Sequence, residues 1–101
     1  MIRRAYLNKV KQRLEDLEDD IGRLQKRLEG PMGVLGDRMD REGRNLRAKA
    51  ESVREKIRAV EAAGASSWGR LKSAVDDGLK DLGRAIDEAV ERIRKAGSGD
   101  R

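Results

Sequence analysis

Residues 7–28 read LNKVKQRLEDLEDDIGRLQKRL, and the spacing of the apolar residues in this stretch decides the fold class. Leu7, Val10, Leu14, Leu17, Ile21, Leu24 and Leu28 recur at alternating steps of three and four. On a helix of 3.6 residues per turn such positions line up as one narrow stripe, the a/d seam of a coiled coil. Between them every residue is polar or charged except Gly22. A helix of this kind is marginal alone in water and needs neighbours with matching stripes.

The rest of the chain supplies them. Gly30-Pro31 follows the first stripe at once. Pro lacks the helical donor and disfavours helix in the residue before it, while Gly suits a helix C-cap. The first helix is therefore predicted to end near Glu29, with Pro31 in the first turn of the next. The second stripe is Met32, Leu35, Met39, Leu46, Ala50, Val53, Ile57 and Val60, with Glu42 or Gly43 filling one gap. Gly33, Gly36 and Gly43 weaken its start, at about 1 kcal/mol each relative to Ala. Met32 and Met39 read as gap-fillers at Gly-rich turns. A softer break follows at Gly64-Ala65-Ser66-Ser67, where Ser66 or Ser67 is a candidate N-cap.

The third segment carries an 11-residue repeat. Trp68 to Gly78 is echoed by Leu79 to Ala89, and a partial copy runs from Val90 to Ala96. Its apolar spacing is 3-4-4, about 3.67 residues per turn, which implies a nearly straight stripe. Helices are thus expected over about 2–29, 32–63 and 66–96, forming one domain over 1–96 with a disordered tail over 97–101. Near-equal lengths joined by short turns predict an all-α, antiparallel three-helix bundle running up, down and up. Because the apolar phase also carries through Gly64–Ser67, the alternative is a long two-helix hairpin that dimerises to bury its seam.

Charge placement predicts a register for that bundle. Glu15, Asp16, Glu18, Asp19 and Asp20 would lie beside Arg41, Arg44 and Arg47, and Arg54 and Arg58 near Asp76 and Asp77. Arg4, Lys9, Lys11 and Arg13 would run alongside Asp76, Asp77 and Asp81. Each exposed pair contributes only about 0–1 kcal/mol, so such pairs set register more than stability.

Charged residues make up 43% of the 101 and apolar ones 37%, which is too few for a broad globular core but enough for stripes. The absence of His and Cys removes the usual nucleophiles, general bases at neutral pH and thiolate ligands. Asp76 and Asp87 lie one 11-residue repeat apart, about 16 Å along a helix, too far to share a proton or a water. Asp16, Asp19 and Asp20 lack the Asp-x-Asp-x-Asp-Gly calcium pattern. The expectation is a non-enzyme without cofactor, metal or small-molecule substrate. The first residues lack the apolar core of a secretory leader, and no run approaches 18 apolar residues, so a cytoplasmic location is the default.

Basic residues outnumber acidic ones by 24 to 19. Arg3, Arg4, Lys9, Lys11 and Arg13 precede any acidic residue and, with Tyr6, make a basic amphipathic helix suited to anionic surfaces. Arg38, Arg41, Arg44 and Arg47 form a second basic strip. Interleaved acids and missing stacking aromatics argue against specific nucleic-acid binding. Trp68, the single Trp, is either an end plug of the bundle or a functional anchor.

The stretches Ala5-Tyr6-Leu7-x-Lys9-Val10-Lys11-x-x-Leu14-Glu15 and Ala63 to Asp76 resemble a family of short bacterial coiled-coil or stress-response proteins whose biochemical role is unknown. The 11-residue repeat resembles, more weakly, that of exchangeable apolipoproteins, which would imply lipid-surface binding. Neither resemblance carries catalytic residues. The function expected is a structural or interaction protein presenting charged helix faces to a protein partner or to itself. The alternative is a peripheral binder of anionic membrane, or weakly of nucleic acid.

Overall fold

The computed structural model describes residues 2–28 and 33–98, with side chains described over 3–26 and 40–95. Helix α1 spans Ile2–Leu28, α2 spans Gly33–Ala62 and α3 spans Trp68–Ser98, with a single 3-10 turn at Ala65–Ser67 before α3. They pack side by side into a rod of 55 × 18 × 17 Å. The Gly30-Pro31 turn and Met32 lie outside the described residues, as do the side chains of Leu28, Leu35 and Met39. Helix α3 runs through Gly97 to Ser98, slightly past the boundary predicted for it. Residues 99–101 lie outside the description.

The core follows from the stripes. Val10, Leu14, Leu17, Ile21 and Leu24 of α1 are buried, as are Leu46, Ala50, Val53, Ile57 and Val60 of α2. From α3 come Val75, Leu79, Leu82, Ile86 and Ala89. In each helix the steps are four, three, four and three. The cross-helix ion pairs mark the register in which these fifteen residues sort into five levels. Val10, Val60 and Val75 stand at one end, and Leu24, Leu46 and Ala89 at the other. No buried side-chain polar atom among the described residues lacks a partner, so this interior carries no desolvation penalty of that kind.

The gap in the α2 stripe has a physical filler. Gly43 is buried, and a Cβ there would stand 2.8 Å from Gln25 Nε2. The Gln25 side chain of α1 therefore lies over the glycine. Its Oε1 accepts two hydrogen bonds from Arg47, at 3.1 and 2.9 Å. Glu42 turns aside to pair with Arg92 of α3.

At the second break Gly64 is extended, with φ −80° and ψ 175°. The Ser67 N–H donates to Gly64 O at 3.2 Å, closing the 3-10 turn. The continuous helix of the alternative reading is absent, and the chain folds back on itself as three helices. Neither Ser66 nor Ser67 makes a side-chain hydrogen bond among the described residues. Ala65, first in the 3-10 turn and preceded by an extended residue, has a backbone compatible with Pro. Ala65→Pro is expected to raise stability by about 0.4–1 kcal/mol through the unfolded chain. A thermal melt checks this, and a clear fall in Tm would mean that the segment needs helix at that position.

The predicted charge register between α1 and α2 is corrected. Glu18 pairs with Arg54 and Lys11 with Glu61, while Arg47 meets Gln25. The acidic run of α1 thus faces the middle of α2, not Arg41 to Arg47. Asp76 is held by Tyr6 and Lys72, not by Arg54 or Arg58. The tight hairpin assumed at Gly30-Pro31 places the two helices about ten residues out of step, since Glu18 meets Arg54 and not Arg44. The apolar levels outweigh weak surface pairs in choosing the register.

Candidate interaction surface

One end of the rod gathers most of the chain's distinctive side chains. Here the first turns of α1, the last turn of α2 and the start of α3 converge. The Arg3 guanidinium donates to the carbonyls of Val60 and Ala63. Val60 lies in the last turn of α2 and Ala63 just past it, where a cation is favoured by the helix dipole. The same guanidinium lies 5.0 Å from the centroid of the Trp68 ring. Tyr6 meets Trp68 edge-on, with centroids 5.4 Å apart and planes at 80°. This is a favoured aromatic geometry. Trp68 is half-buried and packs on the core.

Tyr6 also ties α1 to α3. Its hydroxyl donates to Asp76 Oδ1 at 2.7 Å and lies 3.1 Å from Lys72 O. Burial, then the Asp76 hydrogen bond and charge, hold the phenol well above its ordinary range, so it stays a donor. Lys72 Nζ sits 4.9 Å from the Tyr6 ring centroid and 3.3 Å from Asp76 Oδ2.

Between α1 and α3 a groove of about 720 Å³ opens beside this cluster. Its inner wall includes Tyr6, Val10 and Leu79, and exposed Lys9, Arg13 and Lys80 border it. These three cations have no hydrogen-bond or ion-pair partner among the described residues. Asp16, also at the border, accepts from Gln12 at 3.1 Å.

The cations singled out in the sequence do not form one surface. Arg4, Lys9, Lys11 and Arg13 are exposed at this end, with Lys11 paired to Glu61. Arg3 is half-buried and committed to the end of α2. Arg47 stands opposite Gln25, about 18 Å along α1 from Arg13. Arg41 and Arg44 lie further still, and Arg44 is 3.8 Å from Asp40. The Arg38 side chain falls outside the described residues. Sequence reading missed Lys80 and the Tyr6–Asp76–Lys72 link. Both follow from the parallel course of α1 and α3, because that course brings the only Tyr and the only Trp to the same end.

The net charge collects here as well. Residues 2–14, 55–62 and 68–80, which meet at this end, hold ten basic and four acidic residues, while the rest of the chain holds 14 and 15. The whole positive excess of the chain belongs to one end of the rod. Among the described residues no three acidic side chains converge on a metal-sized site. None of the described helices is long and apolar enough to cross a membrane.

Fold and surface together define an all-α three-helix bundle with a basic, aromatic-braced end. Compared with known proteins, the chain matches no family model, no curated protein and no solved structure.

Proposed function

We propose that the chain is a non-enzymatic interaction module whose basic end docks an acidic protein partner. The observation that carries this is the confinement of the positive excess to the end built from residues 2–14, 55–62 and 68–80. A field of one sign over one end steers and orients an oppositely charged partner. The rest of the rod, with balanced charge, acts as a stiff body holding that end in place. A lipid-surface reading needs an outward apolar stripe, and in α3 the residues Val75, Leu79, Leu82, Ile86 and Ala89 face inward instead. Among the described large apolar residues, only Val90 is exposed.

The test is fluorescence anisotropy with labelled polyglutamate at low salt. A triple variant, Arg4→Glu with Lys9→Glu and Arg13→Glu, is expected to weaken binding by about tenfold or more. The triple Arg41→Glu, Arg44→Glu and Arg47→Glu, which changes net charge equally, should leave it nearly unchanged. Equal losses in the two triples would mean that only overall charge matters, and the reading of a specialised end would fall.

A further inference from the structure

We infer that the α1–α3 groove is the docking site, and that its occupant is an acidic amphipathic helix of a partner protein. This rests on the reading of the basic end as the interaction surface and names the partner's chemistry. Three features of the groove point to a helix. It is open along the bundle axis, following α1 from Tyr6 to Asp16, about 15 Å or nearly three helical turns. A small-molecule site would enclose most of its ligand, whereas an open trough covers one face only. A helix laid there becomes a fourth member beside three, a packing that helical bundles favour.

The chemistry of the walls sets the sequence of that helix. Val10 and Leu79, only 4% and 9% exposed, reach the floor of the groove at their edges. With half-buried Tyr6 they make a narrow apolar strip, which calls for apolar residues at i, i+3 or i+4, and i+7 on the docking face. Lys9 and Arg13 on the α1 side, and Lys80 on the α3 side, offer unpaired cations at the borders. Asp76 does not cancel them, because it is already held by Tyr6 and Lys72. Asp16 accepts from Gln12, which is neutral and does not offset its charge, so the three cations outnumber it at the borders. Asp or Glu flanking the apolar face of the incoming helix would meet Lys9, Arg13 and Lys80. A nucleic acid has no use for the apolar strip, and the Tyr6 ring is already occupied by Lys72 above it and Trp68 at its side. A flat membrane cannot enter a trough.

The experiment uses the full chain and two labelled peptides of identical composition. One places Leu on a single helical face flanked by Glu, and the other scatters the same residues around the helix. The amphipathic peptide is expected to bind about tenfold tighter or more than its scattered counterpart. Lys9→Glu with Lys80→Glu, both at exposed positions, should remove most of that advantage. Chemical shift changes should centre on Val10 and Leu79. If the two peptides bind equally while polyglutamate still depends on Arg4, Lys9 and Arg13, the groove is not the site and the basic end still stands. If polyglutamate and both peptides fail to bind, both readings fall. Tighter binding to a single-stranded oligonucleotide or to phosphatidylglycerol vesicles than to the amphipathic peptide also overturns the groove's occupant.

Discussion

Leu17→Asp is expected to leave the chain unfolded at room temperature. Leu17 stands at the middle of the five core levels and is 3% exposed. Replacing it removes a buried side chain, which costs about 2–5 kcal/mol in comparable cores. It also strands a carboxylate among Val, Leu and Ile with no partner, and that adds several kcal/mol more. Together these rival the whole stability of a small domain, about 5–15 kcal/mol. Circular dichroism should show most of the helix lost, because the helices depend on each other's stripes and not on their own propensity. The control is Asp19→Leu, two positions away on the exposed face, with an expected change within about 0.5 kcal/mol. A melting curve for Leu17→Asp like that of the parent chain would show that this stripe is not the core.

Leu82→Ala carries the second large effect, about 2–5 kcal/mol by urea titration with an unchanged slope. Leu82 is fully buried, whereas Val90 is 38% exposed. Val90→Ala should therefore cost under about 1 kcal/mol. The contrast distinguishes two periods written into the same helix. The 11-residue repeat makes Val90 the successor of Leu79 and so an inward residue. The structure instead buries Ala89, the successor of Leu82 at seven residues. Helices α1 and α2 offer apolar side chains at steps of four and three. A third helix matched to them stays in phase every seven residues, while an 11-residue step ends about 50° off the seam. Val90 swings outward for that reason. Similar losses in the two variants would instead favour the straight 11-residue stripe.

The same contrast explains why the charge pattern misled and the apolar pattern did not. Glu18 finds Arg54, and Arg92 finds Glu42, in a register that no surface pair could impose. Burying one more methylene contributes about 0.8 kcal/mol, as much as a whole exposed ion pair. Helices slide until the levels fill, and the charges then take whichever partners stand opposite. Arg3 illustrates the limit for the candidate surface. Its sequence neighbourhood is that of an anion-binding cation, yet the end of α2 lies within its reach and claims it.

From its sequence alone this chain is all-α, with inward faces at Leu14, Leu17, Ile57 and Val60. These are matters of local spacing, and a helix of 3.6 residues per turn translates spacing into a face without help from the rest of the chain. Gly64–Ser67 reads as a turn or as continuous helix until the structure breaks the chain there. Tertiary packing decided the register between helices, the exclusion of Val90, and the use of Gln25 to cover Gly43. It also decided the division of the basic residues between two distant regions and the groove lined by Lys9, Arg13 and Lys80. Each depends on how far one helix slides past another, and that is set by the summed burial of all fifteen core side chains, not by any one segment.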